Sequence, residues 1–459
     1  MIKNILLLIL IALLSVFSYF YTDISKTLNT ATGFSAKNLC SGHFNSGYPL
    51  DQLMTEALEP VNPGFSYVSY EKDDKLPAIR TSIFGFKPRI AIYRPGMGCT
   101  LLGVGQESLP GSINRPAKPA PDAQVPWPEG SAVAEQQVTV DYEQLNQAIA
   151  EAFIEPATGL RQTKAVVVIH KGQLVAERYA APITATTPSL SWSMAKSVTN
   201  LLIGTLVQRN KIDIYQPAPI ALWQQDERAA ITTDHLLRMS SGLAFNETYG
   251  INTDVTFMLS NATSASDYAI DVPLAYPIDT HWAYSSGTTN ILSRIVFDTI
   301  GGTLQDKYDY ADDALFSAIG LQSAIMETDG NNVFIGSSYF YATPHDWARL
   351  GQLVLQDGLW NGERLLPEGW VEYSVKPTPT ALNREYGAQF WLNSKPTNDH
   401  WRSPWPSAPY DAYHMGGYQG QFVIVIPSKE LVVVRLGYTA PGSDEGIDNL
   451  LAGILNALN

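Results

Sequence analysis

Between about Tyr142 and the C-terminus, apolar residues form short runs at both ends of the region, and turns separate these runs. Tyr142 to Phe153 shows helical spacing, and two apolar runs joined at Lys171-Gly172 predict a hairpin after it. Near the C-terminus, a second predicted hairpin precedes a helix that Ser443-Asp444 is expected to cap and that runs through Leu458. The four predicted strands are Ala165 to Ile169, Leu174 to Ala176, Phe422 to Ile426 and Leu431 to Val434.

The middle of the chain, about residues 191–356, has helical periodicity. Val198 to Val207 and Thr288 to Thr299 are clear helical stretches, and loops rich in Gly, Ser and Thr separate them. Strands near both ends with helices between them predict an antiparallel sheet beside a mostly helical region. The expected fold class is therefore α/β, of the α+β kind, with a central antiparallel sheet flanked by helices.

The N-terminus carries an apolar run of the length and position of an export signal. Lys3 precedes the run, which extends from Ile5 to about Phe20 and is interrupted only by Ser15 and Ser18. Residues 1–22 are therefore interpreted as a signal peptide or as an uncleaved membrane anchor, and the sequence leaves both open. Either reading predicts an exported protein whose bulk lies outside the cytoplasm, with the membrane as a partner if the segment is not cleaved.

Composition divides the remainder into three parts. Residues 37–105 have mixed polarity and are interpreted as a small accessory segment, and residues 136–459 form the main domain. Between them, residues 106–135 are rich in proline, which favours an extended and semi-rigid linker. Its prolines include Pro116, Pro119, Pro121, Pro126 and Pro128.

Charge and cysteine content exclude some functions. The 459 residues carry a formal net charge of -14, which opposes binding to nucleic acid because that binding depends on Lys and Arg. The only cysteines are Cys40 and Cys99. In an exported chain they are expected to form one disulfide, with two free buried thiols as the alternative.

Two other kinds of catalytic centre find no support in the sequence. The seven histidines are scattered and no H-E-x-x-H or C-x-x-C motif occurs, so we expect no metal and no cofactor. A nucleophile elbow of the form G-x-S-x-G is also missing. A Ser-His-Asp hydrolase is therefore not expected.

A serine and a lysine three residues apart are the first candidates for chemistry. Ser193-Met-Ala-Lys196 begins a predicted helix, so the two side chains share one face and the ammonium can reach the hydroxyl. Ser69-Tyr-Glu-Lys72 has the same spacing but lies in an extended pattern, where residues three apart point to opposite faces. A lysine whose pKa is lowered by burial can remove the proton of a serine nucleophile. Ser193 and Lys196 are therefore the candidate catalytic pair, with an N-cap serine and a solvated lysine as the structural alternative.

Two later motifs supply possible partners. Tyr284 and Ser286 lie two apart in a loop directly before a helix, where both can face one cleft. A tyrosine beside a lysine is expected to have its phenolate favoured and to exchange protons with the serine. His414-Met-Gly416-Gly417 precedes the Phe422 strand, and its glycines let the backbone approach a ligand closely. The N–H groups of Ser193 and Gly417 are the predicted oxyanion hole.

In order and context, these motifs resemble the serine β-lactamase superfamily over about Val138 to Leu458. Thr233 to Gly242 and Ala342 to Gly351 are similar to further segments of that family. The resemblance implies a β-lactamase/transpeptidase-like fold, acylation of Ser193 and hydrolytic release. It assigns proton transfer to Lys196 and Tyr284, and the second oxyanion donor to Gly417.

The sequence departs from the better-known branches at two positions. Ser286 stands where class C β-lactamases have asparagine, and His414 stands where K-T-G supplies a permanent cation. Efficient β-lactam hydrolysis is therefore not expected, because a mostly neutral imidazole holds a substrate carboxylate less firmly. The Tyr-x-Ser motif resembles the 6-aminohexanoate-dimer hydrolases and related esterases. That group implies substrate contacts at Tyr249 and Trp391, with an ordinary surface tyrosine and a core tryptophan as the structural alternatives. Ser286, His414 and Gly416 are further predicted substrate contacts.

The sequence thus predicts a serine hydrolase that cleaves a small-molecule or short peptide-like ester or amide. A DD-peptidase or weak β-lactamase acting on peptidoglycan-like substrates is the alternative within enzymes. A non-catalytic envelope binding module is the alternative from another class. The presence of Ser193, Lys196 and Tyr284 favours an enzyme over that module.

Overall fold

The computed structural model describes residues 2–116, 118, 122–133, 138–250, 253–396 and 402–458, and for residues 2–20 and 22 the backbone alone. Pro119, Pro121 and the predicted boundary between residues 135 and 136 lie outside the described residues. So do the side chains of the apolar run, and its role as signal or anchor stays a prediction.

The helices of the described residues share one numbering in chain order. They are α1 (Ile2–Ser46), α2 (Leu50–Leu53), α3 (Tyr142–Ala152), α4 (Met194–Gln208), α5 (Thr233–Leu237), α6 (Asp254–Ser260), α7 (Ala265–Ile270), α8 (Ser286–Ile300), α9 (Leu304–Ala311), α10 (Pro344–Leu355), α11 (Trp370–Val375) and α12 (Ile447–Ala457). None of these helices, where described, is both long and apolar enough to cross a bilayer.

The strands are numbered in the same way. They are β1 (Val68–Lys72), β2 (Ala78–Ile83), β3 (Phe86–Arg94), β4 (Gly98–Leu101), β5 (Thr163–His170), β6 (Gln173–Tyr179), β7 (Ser189–Leu190), β8 (Ile325–Met326), β9 (Phe340–Ala342), β10 (Leu359–Trp360), β11 (Glu363–Arg364), β12 (Trp391–Leu392), β13 (Tyr413–Gly417), β14 (Gln421–Ile426) and β15 (Leu431–Gly437).

A six-stranded antiparallel sheet, ordered β12-β13-β14-β15-β5-β6, forms the centre of the fold. Helices α3 and α12 pack together on one face, where Val166 and Val168 point, and α10 covers the other, where Val167 and Ile169 point. Both faces are buried, which explains why the strands read as continuous apolar runs. The predicted α/β fold with a central antiparallel sheet is confirmed.

The C-terminal helix begins later than the sequence predicts. Gly446, with φ of 72°, precedes Ile447, so Ser443 and Asp444 do not cap α12. The Ser443 hydroxyl accepts the Leu160 N–H at 2.9 Å, and Asp444 forms an ion pair with Arg161. Both polar side chains therefore stabilise the neighbouring loop before β5 instead of the helix.

The N-terminal segment is built on a helix that the sequence did not predict. Helix α1 extends 45 residues and packs against the four-stranded sheet β1-β2-β3-β4. A disulfide between Cys40 and Cys99 joins α1 to β4. The buried residues of α1, such as Leu39, belong to the same hydrophobic core as residues of the main domain.

A buried polar network also joins the two parts. The Glu327 carboxylate accepts hydrogen bonds from Lys37, Ser41 and Asn45 of α1 and from the backbone N–H of Cys99. Burial lowers the pKa of Lys37, and the Glu327 charge opposes that effect. The accessory segment is therefore held to the main domain by both apolar and charged contacts.

Candidate active site

Ser193 lies at the N-cap of α4, which begins at Met194, and its side chain points into a cavity of about 290 Å³. Helix α4 is an almost completely buried apolar helix, so its first turn is held rigidly. The residue before Ser193, Trp192, has φ of 44°, an unfavourable conformation for a bulky side chain. Trp192 donates a hydrogen bond to Gln419 at 3.0 Å and stacks on Phe34 of α1. These contacts hold the strained backbone that presents Ser193.

Lys196 is one turn further along α4 and reaches the Ser193 side chain, as the sequence predicts. Its Nζ lies 3.1 Å from the Ser193 Oγ, 3.0 Å from the Ser286 Oγ and 3.0 Å from the carbonyl oxygen of Ser337. The side chain is 1% exposed. Burial lowers the pKa of Lys196 to about 8, against the opposing charge of Glu247. A substantial fraction of the Lys196 side chains is therefore neutral near pH 7 to 8, and a neutral amine can accept a proton.

The Tyr284 ring lies next to the Lys196 ammonium group. The Lys196 Nζ is 4.8 Å from the centre of the Tyr284 ring, and Tyr284 lines the cavity together with Ser193 and Trp391. Burial raises the pKa of Tyr284 well above its usual range, and the neighbouring Ser193 and Trp391 only partly oppose this rise. The prediction that a neighbouring lysine favours the phenolate is therefore wrong, because burial and the charge of Glu247 both raise the pKa of Tyr284. Tyr284 is a neutral phenol that can donate or pass on a proton.

Ser286 lies behind the lysine and not on the wall of the cavity. It is fully buried at the start of α8, accepts from Lys196, and donates to Glu247 Oε1 at 2.6 Å. The substrate contact that the sequence suggested for Ser286 is thus not what this structure shows. The small hydroxyl instead connects two charged groups.

Glu247 is the site residue that sequence reasoning missed. Its second oxygen accepts the Ser286 N–H at 2.7 Å, so the carboxylate also lies at the N-terminus of α8. Burial raises the pKa of Glu247, while Lys196 and Ser286 oppose the rise. The available signal was local, because Glu247 is an acidic residue two positions before Tyr249, a predicted substrate contact.

The opposite wall of the cavity is β13. Gly416, Gly417 and His414 line it together with Tyr418 and Phe422. A Cβ on Gly417 would lie 2.2 Å from the carbonyl oxygen of Ser191, so only glycine fits this close approach to the nucleophile's segment. The backbone of Gly417 therefore lies against the segment that leads to Ser193, and its N–H stays the predicted second oxyanion donor.

His414 is a neutral group in this wall. It is 7% exposed, packs 4.3 Å from the Trp405 ring, and its Nδ1 has no hydrogen-bond partner in the described part of the chain. Burial lowers the pKa of His414 to about 3. The imidazole is uncharged at neutral pH and is available as a polar contact for an uncharged group.

The predicted aromatic contacts also meet at the cavity. Trp391 lines the cavity beside Tyr284, and the centres of the two rings are 5.1 Å apart. Tyr249 is 56% exposed and stacks on Tyr418 at 6.1 Å. Of the described residues that line the cavity, none is Lys, Arg, Asp or Glu. The wall is aromatic and uncharged, which favours uncharged acyl groups.

Other parts of the sequence prediction fall outside the cavity. Ser69 and Lys72 lie in β1, in the extended conformation that the sequence indicated.

No cluster of described side chains has the composition of a metal site.

The family model described as Beta-lactamase matches residues 150–456, which is more than half of the chain. No curated protein sequence matches the chain. Among solved structures, a protein from Bacillus anthracis provisionally assigned as a 6-aminohexanoate-dimer hydrolase is 22% identical, with a TM-score of 0.56, and the match covers 74% of this chain and 89% of that one.

Two further structures have the same architecture. A provisionally assigned beta-lactamase from Bacteroides dorei gives a TM-score of 0.55 at 15% identity, covering 69% of this chain and all (100%) of that one. A penicillin-binding protein homologue from Caulobacter crescentus gives 0.54 at 15% identity, covering 72% and 99%. At these identities the likeness shows the fold.

Proposed function

Because the chain belongs to the beta-lactamase family, we propose that it is a serine hydrolase that cleaves esters or amides through an acyl-enzyme on Ser193. The observation that carries this proposal is the contact of the buried Lys196 amine with the Ser193 hydroxyl, 3.1 Å apart. A lysine whose pKa is lowered to about 8 is suited to activate serine near neutral pH.

In the proposed reaction, neutral Lys196 accepts the Ser193 proton while Oγ attacks the substrate carbonyl carbon. The N–H groups of Ser193 and Gly417 hold the oxyanion that forms. The Tyr284 hydroxyl, which lines the cavity with Ser193, donates a proton to the leaving alcohol or amine and is reprotonated from Lys196. Water then attacks the acyl carbon and transfers a proton to the neutral Lys196. That proton passes to the Ser193 Oγ as the ester bond to the enzyme breaks, so the acid leaves and the free serine is restored.

The character of the cavity supports a neutral substrate. His414 stands where related enzymes present a cation, and burial lowers its pKa to about 3, so it offers no positive charge to a carboxylate. The neighbouring wall consists of aromatic side chains such as Trp391 and Tyr418. Short neutral esters and amides fit this surface better than carboxylate-bearing β-lactams.

The test is mass spectrometry of the protein after incubation with a fluorophosphonate and, separately, with penicillin, using Ser193→Ala as the control. We expect a fluorophosphonate adduct on Ser193, no penicillin adduct, and hydrolysis of a p-nitrophenyl ester that Ser193→Ala abolishes. A penicillin adduct with turnover of a chromogenic cephalosporin would favour the DD-peptidase or β-lactamase alternative. Folded protein that reacts with neither probe would be a non-catalytic binding module.

A further inference from the structure

Several large apolar side chains are exposed together at one end of the N-terminal segment. Phe84, in the turn between β2 and β3, and Phe86, the first residue of β3, are 74% and 67% exposed. Tyr67, just before β1, is 62% exposed, and its ring centre lies 6.0 Å from that of Phe84. The residues Phe84-Gly85-Phe86 carry no charge. Isolated exposed apolar residues are ordinary, but an aromatic cluster at a hairpin tip indicates an interaction surface.

The contacts of this hairpin with α1 show which way the tip points. Tyr93, at the far end of β3, stacks on Phe44, with ring centres 5.1 Å apart. Further along the strand, Arg89 lies against the Asn29 carbonyl, and the Lys87 Nζ is 6.0 Å from the centre of the Tyr21 ring. The hairpin therefore runs along α1 toward its N-terminal end.

The tip of the β2–β3 hairpin thus lies beside the part of α1 that directly follows the apolar run. Helix α1 is continuous from Ile2 to Ser46, and its residues from Ile5 to Phe20 are apolar except for two serines. Tyr21 and Ile24, the first large apolar residues beyond that run, are each 52% exposed. The aromatic cluster and the apolar run are consequently neighbours at one end of the molecule.

We propose that Tyr67, Phe84 and Phe86 form a second membrane contact that inserts into the headgroup region of the bilayer entered by the apolar run. Tyrosine is favoured at that depth, phenylalanine can bury its ring at the boundary between headgroups and acyl chains, and Lys87 beside them suits anionic headgroups. Two contacts restrict rotation about α1, which a single helix would permit. Phe34, which stacks on Trp192 next to the nucleophile, is fourteen residues after Phe20, about 20 Å along the helix. The paired contacts hold Ser193 at a set orientation near the membrane surface.

The chain offers a clean labelling strategy. Its only cysteines, Cys40 and Cys99, are joined in a disulfide, so a newly introduced thiol is the single site for a maleimide dye. The full-length Phe84→Cys protein, carrying the environment-sensitive dye NBD, is reconstituted into vesicles of phosphatidylcholine and phosphatidylglycerol. Leu382→Cys, at an 86% exposed position in the main domain, is the matched control.

We expect the dye at position 84 to shift its emission to the blue and to be quenched several-fold more by lipids spin-labelled near the headgroup than the dye at position 382. The Phe86→Cys protein should behave like Phe84→Cys. Equal and weak quenching at positions 84 and 382 would overturn the proposal. A blue shift that depends on the ratio of protein to lipid, without lipid quenching, would identify a second copy of the chain as the occupant. Failure of the full chain to float with the vesicles would overturn it as well.

Hydrolysis of a soluble p-nitrophenyl ester by the Phe84→Glu/Phe86→Glu double variant separates this inference from the proposed function. Neither position is among the described residues that line the cavity, so we expect unchanged ester hydrolysis together with weaker lipid quenching of a dye at Tyr67→Cys. Retained quenching at position 67 would show that Phe84 and Phe86 make no membrane contact, whatever the activity.

Discussion

Glu247 is at the end of a hydrogen-bonded chain that begins at the nucleophile and passes through Lys196 and Ser286. Its negative charge raises the pKa of Lys196, while burial lowers that pKa to about 8. Lys196 must be neutral to accept the proton, so activity rises as the pH passes through about 8. Removing the charge in Glu247→Gln should lower the Lys196 pKa and shift the acid limb of kcat/KM to lower pH.

The pH profile of ester hydrolysis measures this shift, with Glu247→Asp as the control that keeps the charge. A merely structural role would lower activity equally at all pH values and leave the limb in place. An acid limb that moves to higher pH would contradict the assigned direction. Glu247 is thus tested as a positioning and tuning residue and not as a group that touches substrate.

Gly417 gives a prediction of a different kind, based on steric fit. The Cβ of Gly417→Ala would lie 2.2 Å from the Ser191 backbone oxygen, so β13 or the segment before Ser193 must move. Loss of one oxyanion donor costs on the order of 100-fold in kcat, and we expect a loss of that size in steady-state ester hydrolysis. Gly416→Ala is the matched control, because its Cβ meets only side-chain atoms of His414 and Trp391 at 3.1 Å. Similar losses in both variants would contradict the role of the Gly417 N–H.

The residues that sequence reasoning placed well are those whose role depends on local spacing. Ser193 and Lys196 are one helical turn apart, so their contact follows from the helix itself. The protonation states of Tyr284 and His414 depend instead on burial by distant segments, for example the packing of Trp405 against His414. Such desolvation has no signature in a single sequence, which is why the expected Tyr284 phenolate was wrong.

Among the elements, the central strands are the best predicted and α1 is the least. Strands β5, β14 and β15 read as β-branched runs bounded by turns because both faces of the sheet are covered. The part of α1 after the apolar run contains Thr, Asn, Ser and Gly, which are poor helix formers. Tertiary packing on the four-stranded sheet stabilises that helix, and packing is not visible in the local pattern.

The disulfide gives a prediction at this scale. Cys40 and Cys99 close a loop across 59 residues and tie α1 to β4 beside the Glu327 network. Restricting a loop of that length in the unfolded chain stabilises the fold by about 4 kcal/mol. The Cys40→Ser/Cys99→Ser variant should therefore unfold at a lower denaturant concentration, while its ester hydrolysis in the absence of denaturant persists.

Denaturant titrations of the oxidised protein, the reduced protein and the double variant measure this effect. The reduced protein and the variant should give the same midpoint, since both lack the cross-link. An unchanged midpoint would show that α1 and β4 are held by their other contacts alone.

At the scale of the whole molecule, the N-terminal segment and the main domain behave as one core. Ala36 and Leu39 of α1 belong to the same buried cluster as Val198 and Leu202 of α4. Arg349 donates to the carbonyl oxygens of Pro128 and Gly130, so the proline-rich segment is also fastened to the main domain. Composition suggested separable parts because proline content marks a connection, whereas shared burial is a property of the folded chain.

A chain that begins at Val138 should therefore fail to fold stably, although it contains the entire matched family region. Removal of α1 takes Phe34 away from the strained Trp192 and leaves Glu327 buried without Lys37. Breaking a buried ion pair by removing one partner costs about 3–5 kcal/mol before the lost apolar contacts are counted. Thermal unfolding and fluorophosphonate labelling of Ser193 measure the outcome. The matched chain beginning at Tyr21 keeps all these contacts and should retain a cooperative transition and full labelling. A Val138 chain labelled at the same rate would show that the N-terminal segment contributes nothing to the geometry of the nucleophile.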